Sequence, residues 1–593
     1  MLARGALLLA AVLAPAFAED VLQPGTPELD RPTLAALGVK LPVSGDDNYN
    51  ASVSVRYRKA GDEAWRDALP LYRVKPNVVY GWKVSPNFAG SIFDLRPATT
   101  YEIELHAVDP DGPVDQVFSL SATTRAVPGD PVEPNPIDVS DAATLNAIAG
   151  NLQPGDVVTL AEGVYGPFVI RGTGTAENPI VVRGASQEGV IVDGGGGTGN
   201  AIEAYGSFIH IERLTVRNKD RGIRFQTQGS EGNVVRRVRI VDVRLGIGSN
   251  NNQRDFYIAD NILDGRMSWP FIYTDNGGAN ANDDGIRVQG DGHVVAHNWI
   301  RGFGDAMKVE QDGSRAVDFY NNDVLSAYDN GLELDSSEGN SRALRNRFTN
   351  NFMPLSIQPV FGGPAYMIRN VVINPASEQM KFHANGGNPP METSGVFAWH
   401  NTFVSPGVPL ALATSDTAHH FAIQNNLIVG PQVLPTGRVI DWSAPTDDGV
   451  FDYNGYYPDG MFVIRLGTFR YSFQNFAQAQ ASGLMEAHGL LLGQPIFANG
   501  LVPPDTYKGT IDPPPDVTLD AGSGAIDSAL LLPNVNDNFT GAGPDLGALE
   551  LGCPLPIYGP RPEGIDESNE PWGCEPPAPP APDTPAVAAR KGR

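Results

Sequence analysis

Asp318-Phe319-Tyr320-Asn321-Asn322-Asp323-Val324, Arg342-Ala343-Leu344-Arg345-Asn346-Arg347-Phe348 and Tyr366-Met367-Ile368-Arg369-Asn370-Val371-Val372 are three copies of one pattern. Each has apolar residues, an Asn, one further residue and another apolar residue. The Asn recurs at Asn298, Asn322, Asn346, Asn370, Asn401 and Asn425, with spacings of 24, 24, 24, 31 and 24. The register runs backward through Asn261 to Val238 and Leu214, with spacings of 37, 23 and 24, so one coil carries an insertion between Asn261 and Asn298. A period in the low twenties filled with short β runs predicts a parallel β-solenoid, in which each repeat closes its core only against its neighbours. Stacked turn asparagines bond their amides up and down such a solenoid, so they are assigned to the fold and not to chemistry.

On the N-terminal side stand Gly155-Asp156-Val157-Val158-Thr159-Leu160-Ala161-Glu162-Gly163-Val164-Tyr165 and Pro179-Ile180-Val181-Val182-Arg183-Gly184. This stretch resembles the N-terminal cap and first coil of bacterial β-helix polysaccharide lyases of the chondroitinase B and alginate lyase type. The helical pattern from Ala142 to Ala149 would then cover the open end, where a bare solenoid exposes sheet edges. On the C-terminal side, Gly543-Pro544-Asp545-Leu546-Gly547-Ala548-Leu549-Glu550 resembles the closing segment of many bacterial β-helix proteins.

Residues 19–126 alternate apolar and polar residues in short runs, as in Ser52-Val53-Ser54-Val55-Arg56-Tyr57, which is β-sandwich patterning. Leu95-Arg96-Pro97-Ala98-Thr99-Thr100-Tyr101-Glu102-Ile103 resembles the tyrosine corner of a fibronectin type III domain, with Trp65 as its expected core tryptophan. The expected fold class is all-β: a right-handed parallel β-helix preceded by a small β-sandwich. The expected divisions are a signal peptide at 1–18, the sandwich at 19–126, a proline-rich linker at 127–136, the β-helix at 137–550 and a disordered Pro/Ala-rich tail at 551–593.

Arg4, the apolar run Ala6 to Ala14 and the small-x-small site Ala16-Phe17-Ala18 read as a secretory signal, giving a secreted or periplasmic protein. That run is far below the roughly 20 apolar residues that span a bilayer, so no integral membrane segment is expected. Both cysteines, Cys553 and Cys574, lie in the tail, where an oxidising compartment would pair them. The net charge of −26 argues against nucleic acid. An acidic glycan would need local Arg or Lys, or a bridging divalent cation.

With the register fixed, residues two apart on a strand share a face. One sheet then presents outward Arg224 with Gln226, Gly248 with Asn250, Arg287 with Gln289, Lys308 with Glu310, Glu333 with Asp335, and Ser356 with Gln358. Asp283, Asp284, Asp305, Asp329 and Asn330 lie at the strand starts. Any exposed strand face is polar, and Asp-Gly and Asn-Gly are ordinary turn chemistry, so each residue alone has a structural explanation. As a strip, they suit a polysaccharide. Arg224, Gln289, Asn250 and Gln358 are candidate substrate contacts, and Trp269, Tyr273, Tyr328 and Phe361 are candidate stacking aromatics. The insertion carrying Trp269, Phe271 and Tyr273 would wall the cleft.

Two chemistries fit. β-Elimination from a uronate needs its carboxylate neutralised, a base for the C5 proton and a donor for the leaving oxygen. Glu310, Glu333 and Asp335 could hold Ca2+ through oxygen ligands, leaving Lys308 or Arg287 as base and stabiliser. The lyase resemblance implies the same parts: a lysine base, an arginine and a carboxylate-bound calcium on this face. In those lyases the lysine follows the acidic pair, whereas Lys308 precedes Glu333. Hydrolysis needs two carboxylates about the glycosidic oxygen. Asp283, Asp284 and Asp305 resemble the aspartates of polygalacturonase-like hydrolases, without their Gly-His-Gly and Arg-Ile-Lys signatures. A non-catalytic glycan-binding protein is the third reading.

Overall fold

The computed structural model describes residues 20–75, 84–310, 313–383, 392–411, 418–571 and 573–574. The expected signal segment 1–18 and the tail beyond 574 lie outside the described residues. The chain forms a parallel β-solenoid of about 13 turns preceded by two small antiparallel sheets. Each central coil has three strands, as in Tyr257–Ala259, Ile262–Asp264 and Ile286–Val288. Apolar residues from all three faces point into one continuous core, including Ile258, Leu263, Ile286, Met307 and Leu332.

The asparagines lie at the turn after the first strand of each coil. The side-chain amides of Asn298, Asn322, Asn346 and Asn370 each donate to the Oδ1 of the next ladder asparagine at 2.9–3.0 Å. They also donate to a backbone carbonyl of the preceding coil at 2.9–3.0 Å. In the coil after Asn401 the ladder member is Asn426 and not Asn425. Asn425 has a left-handed φ of 59°, as His297, Asn321, Arg345 and Arg369 have left-handed φ of 52–57° just before their own ladder asparagines. The ladder ends at Asn454, whose amide is received by Glu486 Oε1 at 2.8 Å.

The helix Ala142–Ile148 starts at Asp141, which accepts the Thr144 N–H at 2.9 Å, and Leu145 seals the first coil from within the core. At the far end the strand Phe469–Phe473 pairs antiparallel with Met461–Leu466, which stops parallel stacking on that sheet. The coil strands continue to Leu490–Leu491. The expected closing segment instead returns along the flank, where Gly547 N–H bonds Asn425 and Ala548 N–H bonds Thr402, both at 2.9 Å.

The N-terminal strands form a sandwich around Val39, Leu41, Val53, Ile103 and Leu105. The Tyr101 hydroxyl accepts the Arg96 N–H at 2.9 Å. Trp65 is not in this core; it lies half-buried on the outer face, under the guanidiniums of Arg56 and Arg58 at 4.9 and 4.5 Å. The sandwich docks on the solenoid through Arg31 with Glu231 and Asp255, Asp30 with Asn340, and Ser91 with Arg342. The stretch read as a linker is tied down as well: Val132 N–H bonds Glu177, and Asp130 pairs with Arg183 at 3.1 Å.

Residues 551–571 and 573–574 form an ordered strap, where a disordered tail was expected. Arg561 is buried, with Asp260 at 2.9 Å, Glu567 at 3.1 Å and Glu570 at 3.4 Å. Tyr257 and Tyr320 both donate to Glu567. The Cys553–Cys574 disulfide closes the strap.

Candidate active site

One row of outward residues crosses successive coils in strict register: Glu203, Arg224, Gly248, Arg287, Lys308, Glu333, Ser356 and Lys381. Their strand neighbours point inward, as Ile247, Ile286, Met307, Leu332, Leu355 and Met380 do in the core. Coils about 4.8 Å apart make the row a rigid ruler.

Lys308 sits at its centre. Its Nζ lies 3.1 Å from Asp305 and Glu333, 3.4 Å from Glu310 and 3.8 Å from Asp284. Asn330 clamps two of these acids, donating to Asp305 Oδ1 at 3.0 Å and Glu333 Oε1 at 2.9 Å. Arg287 reaches Asp284 at 3.3 Å and Glu310 at 3.9 Å.

Burial by itself would strip the proton from Lys308, but the surrounding carboxylates outweigh it and hold the ammonium strongly protonated. One ammonium cannot keep all its neighbours ionised in return. Burial pushes Asp284 up to about 6, against the pull of Lys308 and Arg287. Burial and then Asp305 push Glu333 to about 7, and burial and then Glu333 push Asp335 to about 7. Burial raises Asp305 against the pull of Lys308, with Asp284 adding to the rise, and burial and then Asp305 raise Asp329.

The open space lies one coil further along. A groove enclosing about 610 Å³ is lined by Lys308, Glu333, Asp335, Asp329, Gln358 and Lys381, with Tyr273 and His383 at its sides. This volume suits a small stretch of ligand. Lys381 is the residue that the sequence reading missed. It continues the row from Ser356, and its signal was present in Met380-Lys381-Phe382, which repeats the alternation of Met307-Lys308-Val309. Among the described residues its Nζ makes no hydrogen bond and no close ion pair, and its charge pulls on Asp329, Glu333 and Asp335 across the groove. Ser356, beneath it, donates to Asp335 at 3.1 Å.

The insertion walls the groove. The Tyr328 hydroxyl donates to the Tyr273 carbonyl at 3.1 Å, and the Tyr273 ring stacks on Phe352 at 6.0 Å. These contacts bring Tyr273 and Ala281 to the groove edge.

Several expected contacts lie elsewhere. Asp284 and Asp305 are 0% and 2% exposed, beneath Lys308, and do not line the groove. They therefore do not flank a space where a glycosidic bond fits. Trp269 turns to the outer side of the wall, donating to the Tyr507 carbonyl at 3.1 Å. Asn250 spends its amide on Gln226 and the Asn251 N–H, and Gln289, Tyr328 and Phe361 are buried. The expected calcium set of Glu310, Glu333 and Asp335 does not converge: Lys308 Nζ lies between the first two, and Asp335 bonds Ser356. Among the described residues no group of three or more His, Cys, Asp or Glu is arranged to hold a metal ion.

No protein-family model matches the sequence, and no curated protein does. Solved structures similar to this chain include three polysaccharide lyases. An alginate lyase from Paenibacillus sp. str. FPU-7 is 16% identical over 56% of this chain and 98% of its own, with a TM-score of 0.28. The PL6-family alginate lyase AlyGC is 14% identical over 64% and 60%, with a TM-score of 0.37. A PL6-family polysaccharide lyase from Pseudopedobacter saltans is 14% identical over 46% and 84%, with a TM-score of 0.24. At these identities the likeness is one of fold.

Proposed function

We propose that this protein is a polysaccharide lyase that cleaves a uronate-containing glycan by β-elimination in the groove between Lys308 and Lys381. The observation that carries the reading is the opposition of Lys381 to Glu333, Asp335 and Asp329 across one open space on rigid strands. Carboxyls raised to about 7 still carry protons near neutral pH. In that state they can donate a hydrogen bond to the substrate carboxylate and so stabilise the charge that develops when C5 loses its proton.

In this mechanism Lys381 Nζ takes the C5 proton. The C5–H electron pair becomes the C4–C5 double bond, the C4–O bond breaks, and the leaving oxygen takes a proton from a groove carboxyl. Lys308 holds the acids in place and does not act as base, because four carboxylates surround its proton. Lys381 also follows the acidic pair Glu333 and Asp335 along the row, the order implied by the lyase resemblance. No step is drawn through calcium, since the expected donor set does not fit one.

The test is to incubate the protein with a panel of polyuronates and follow ultraviolet absorbance and new reducing ends together. Elimination gives a conjugated unsaturated end for each new reducing end. Reducing ends without absorbance would replace this reading with hydrolysis.

A further inference from the structure

We propose that Arg224 and Arg287 form an anion subsite that grips an acidic group on a sugar held towards the N-terminal end of the row, away from the bond that is cut. The inference rests on the groove being a glycan site and adds where the polymer's charge is read.

The row places Arg224 and Arg287 two coils apart with Gly248 between them. A Cβ on Gly248 would run into the Arg224 guanidinium, so the side chain lies across the glycine towards Arg287. Among the described residues Arg224 makes no hydrogen bond and no ion pair. Its Nη1 is buried without a partner, and so is Nε of Arg287. The nearest acid on the preceding coil is engaged elsewhere: Glu203 accepts from Asn200 at 2.8 Å and Tyr205 at 3.0 Å.

Two neighbouring guanidiniums, one without any counter-ion, are costly in a half-buried strip. Burial and then Arg287 lower the Arg224 pKa to about 10. An oxyanion between them offsets both penalties, because a guanidinium presents paired N–H donors that match two oxygens of a carboxylate or of a sulfate. In a chain with net charge −26, Arg224 is a cation of the strip with no carboxylate, among the described residues, in ion-pair contact; Asp284 and Glu310, which lie against Arg287, act on it from further away. From Gly248 to Glu333 the row covers three coil steps, roughly 14 Å. Several sugar units can lie between the anion subsite and the reacting bond.

The experiment is affinity electrophoresis of the full chain in gels containing a polyuronate, the same polymer with its carboxyls reduced to alcohols, or dextran sulfate. Wild-type protein should be retarded by an anionic polymer and not by the reduced one. Arg224→Gln should weaken that retardation at least tenfold, and it leaves no buried partner unsatisfied. Gly248→Ala should weaken it in the same direction with an unchanged melting temperature, since only the far end of Arg224 must move. Polyuronate alone marks a carboxylate site, and dextran sulfate alone a sulfate site. Wild-type affinity in both variants, or equal retardation by the reduced polymer, would overturn the subsite. Turnover separates the two proposals. Cut polyuronate with unaltered Arg224→Gln binding removes the subsite and keeps the lyase. Lost binding with no cutting by wild-type protein keeps the subsite and removes the lyase.

Discussion

Replacing Lys308 by Met separates a buried structural cation from a catalytic base. Asp305, Glu333, Glu310 and Asp284 all lie within 3.8 Å of its Nζ. Asp284, Asp305 and Glu333 are buried, so removing the ammonium leaves charges without compensation, a loss of about 3–5 kcal/mol. Glu310, with 39% of its side chain exposed, adds little. The sign with pH follows from the raised carboxyls. A carboxyl raised on folding contributes stability below its unfolded value, and that contribution is lost as pH rises through the folded value. In the wild type that window runs up to about 6 for Asp284 and about 7 for Glu333. Without Lys308 both rise further, so the deficit should be largest near pH 8 and smallest near pH 5. Differential scanning calorimetry and urea midpoints at the two pH values read it directly. Full stability at pH 8 together with abolished turnover would refute the reasoning and make Lys308 a free amine acting on substrate.

Three further outcomes are expected. Asn346→Ala removes two donated and two accepted bonds within the ladder, at about 1 kcal/mol each, so urea unfolding should lose about 4 kcal/mol; a loss under about 1 would mean the ladder adds little. As pH rises from 6 to 9, Glu333, Asp335 and Asp329 ionise in the groove, so KM for a polyuronate should climb, most steeply at low salt; a flat KM would contradict the charge assignment. Arg561→Met strips Asp260, Glu567 and Glu570 of their buried partner, so amide exchange at Gly559 and Arg561 should accelerate at least a hundredfold, and unchanged protection would show that the strap is held elsewhere.

The period of 24 made the solenoid legible, because parallel coils must repeat both core volume and turn chemistry at fixed spacing. The same register places Arg287, Lys308, Glu333 and Ser356 on one row, as the strand pairing does. It did not tell buried from accessible. Asp284 and Asp305 sit at strand starts like Asp329, yet the first two lie beneath Lys308 and the last lines the groove. That difference comes from the path of the turns and the insertion, which a one-dimensional repeat does not encode. Lys381 was missed because its coil is the long one between Asn370 and Asn401, although it stands only 25 residues after Ser356. The strap was misread from its composition: proline and glycine set its path, while the single buried Arg561 and its acids give it order. Trp65 shows the converse, a large apolar residue drawn out of a small core by two arginines on the outer sheet face.

The most direct test of the account is the Lys381→Met variant assayed beside wild type on a polyuronate that the wild type cuts. The account predicts that wild-type turnover yields unsaturated ends and that the variant keeps its melting temperature and its binding of the polymer while losing turnover by at least a thousandfold. Wild-type rates of unsaturated-end formation in Lys381→Met would contradict it.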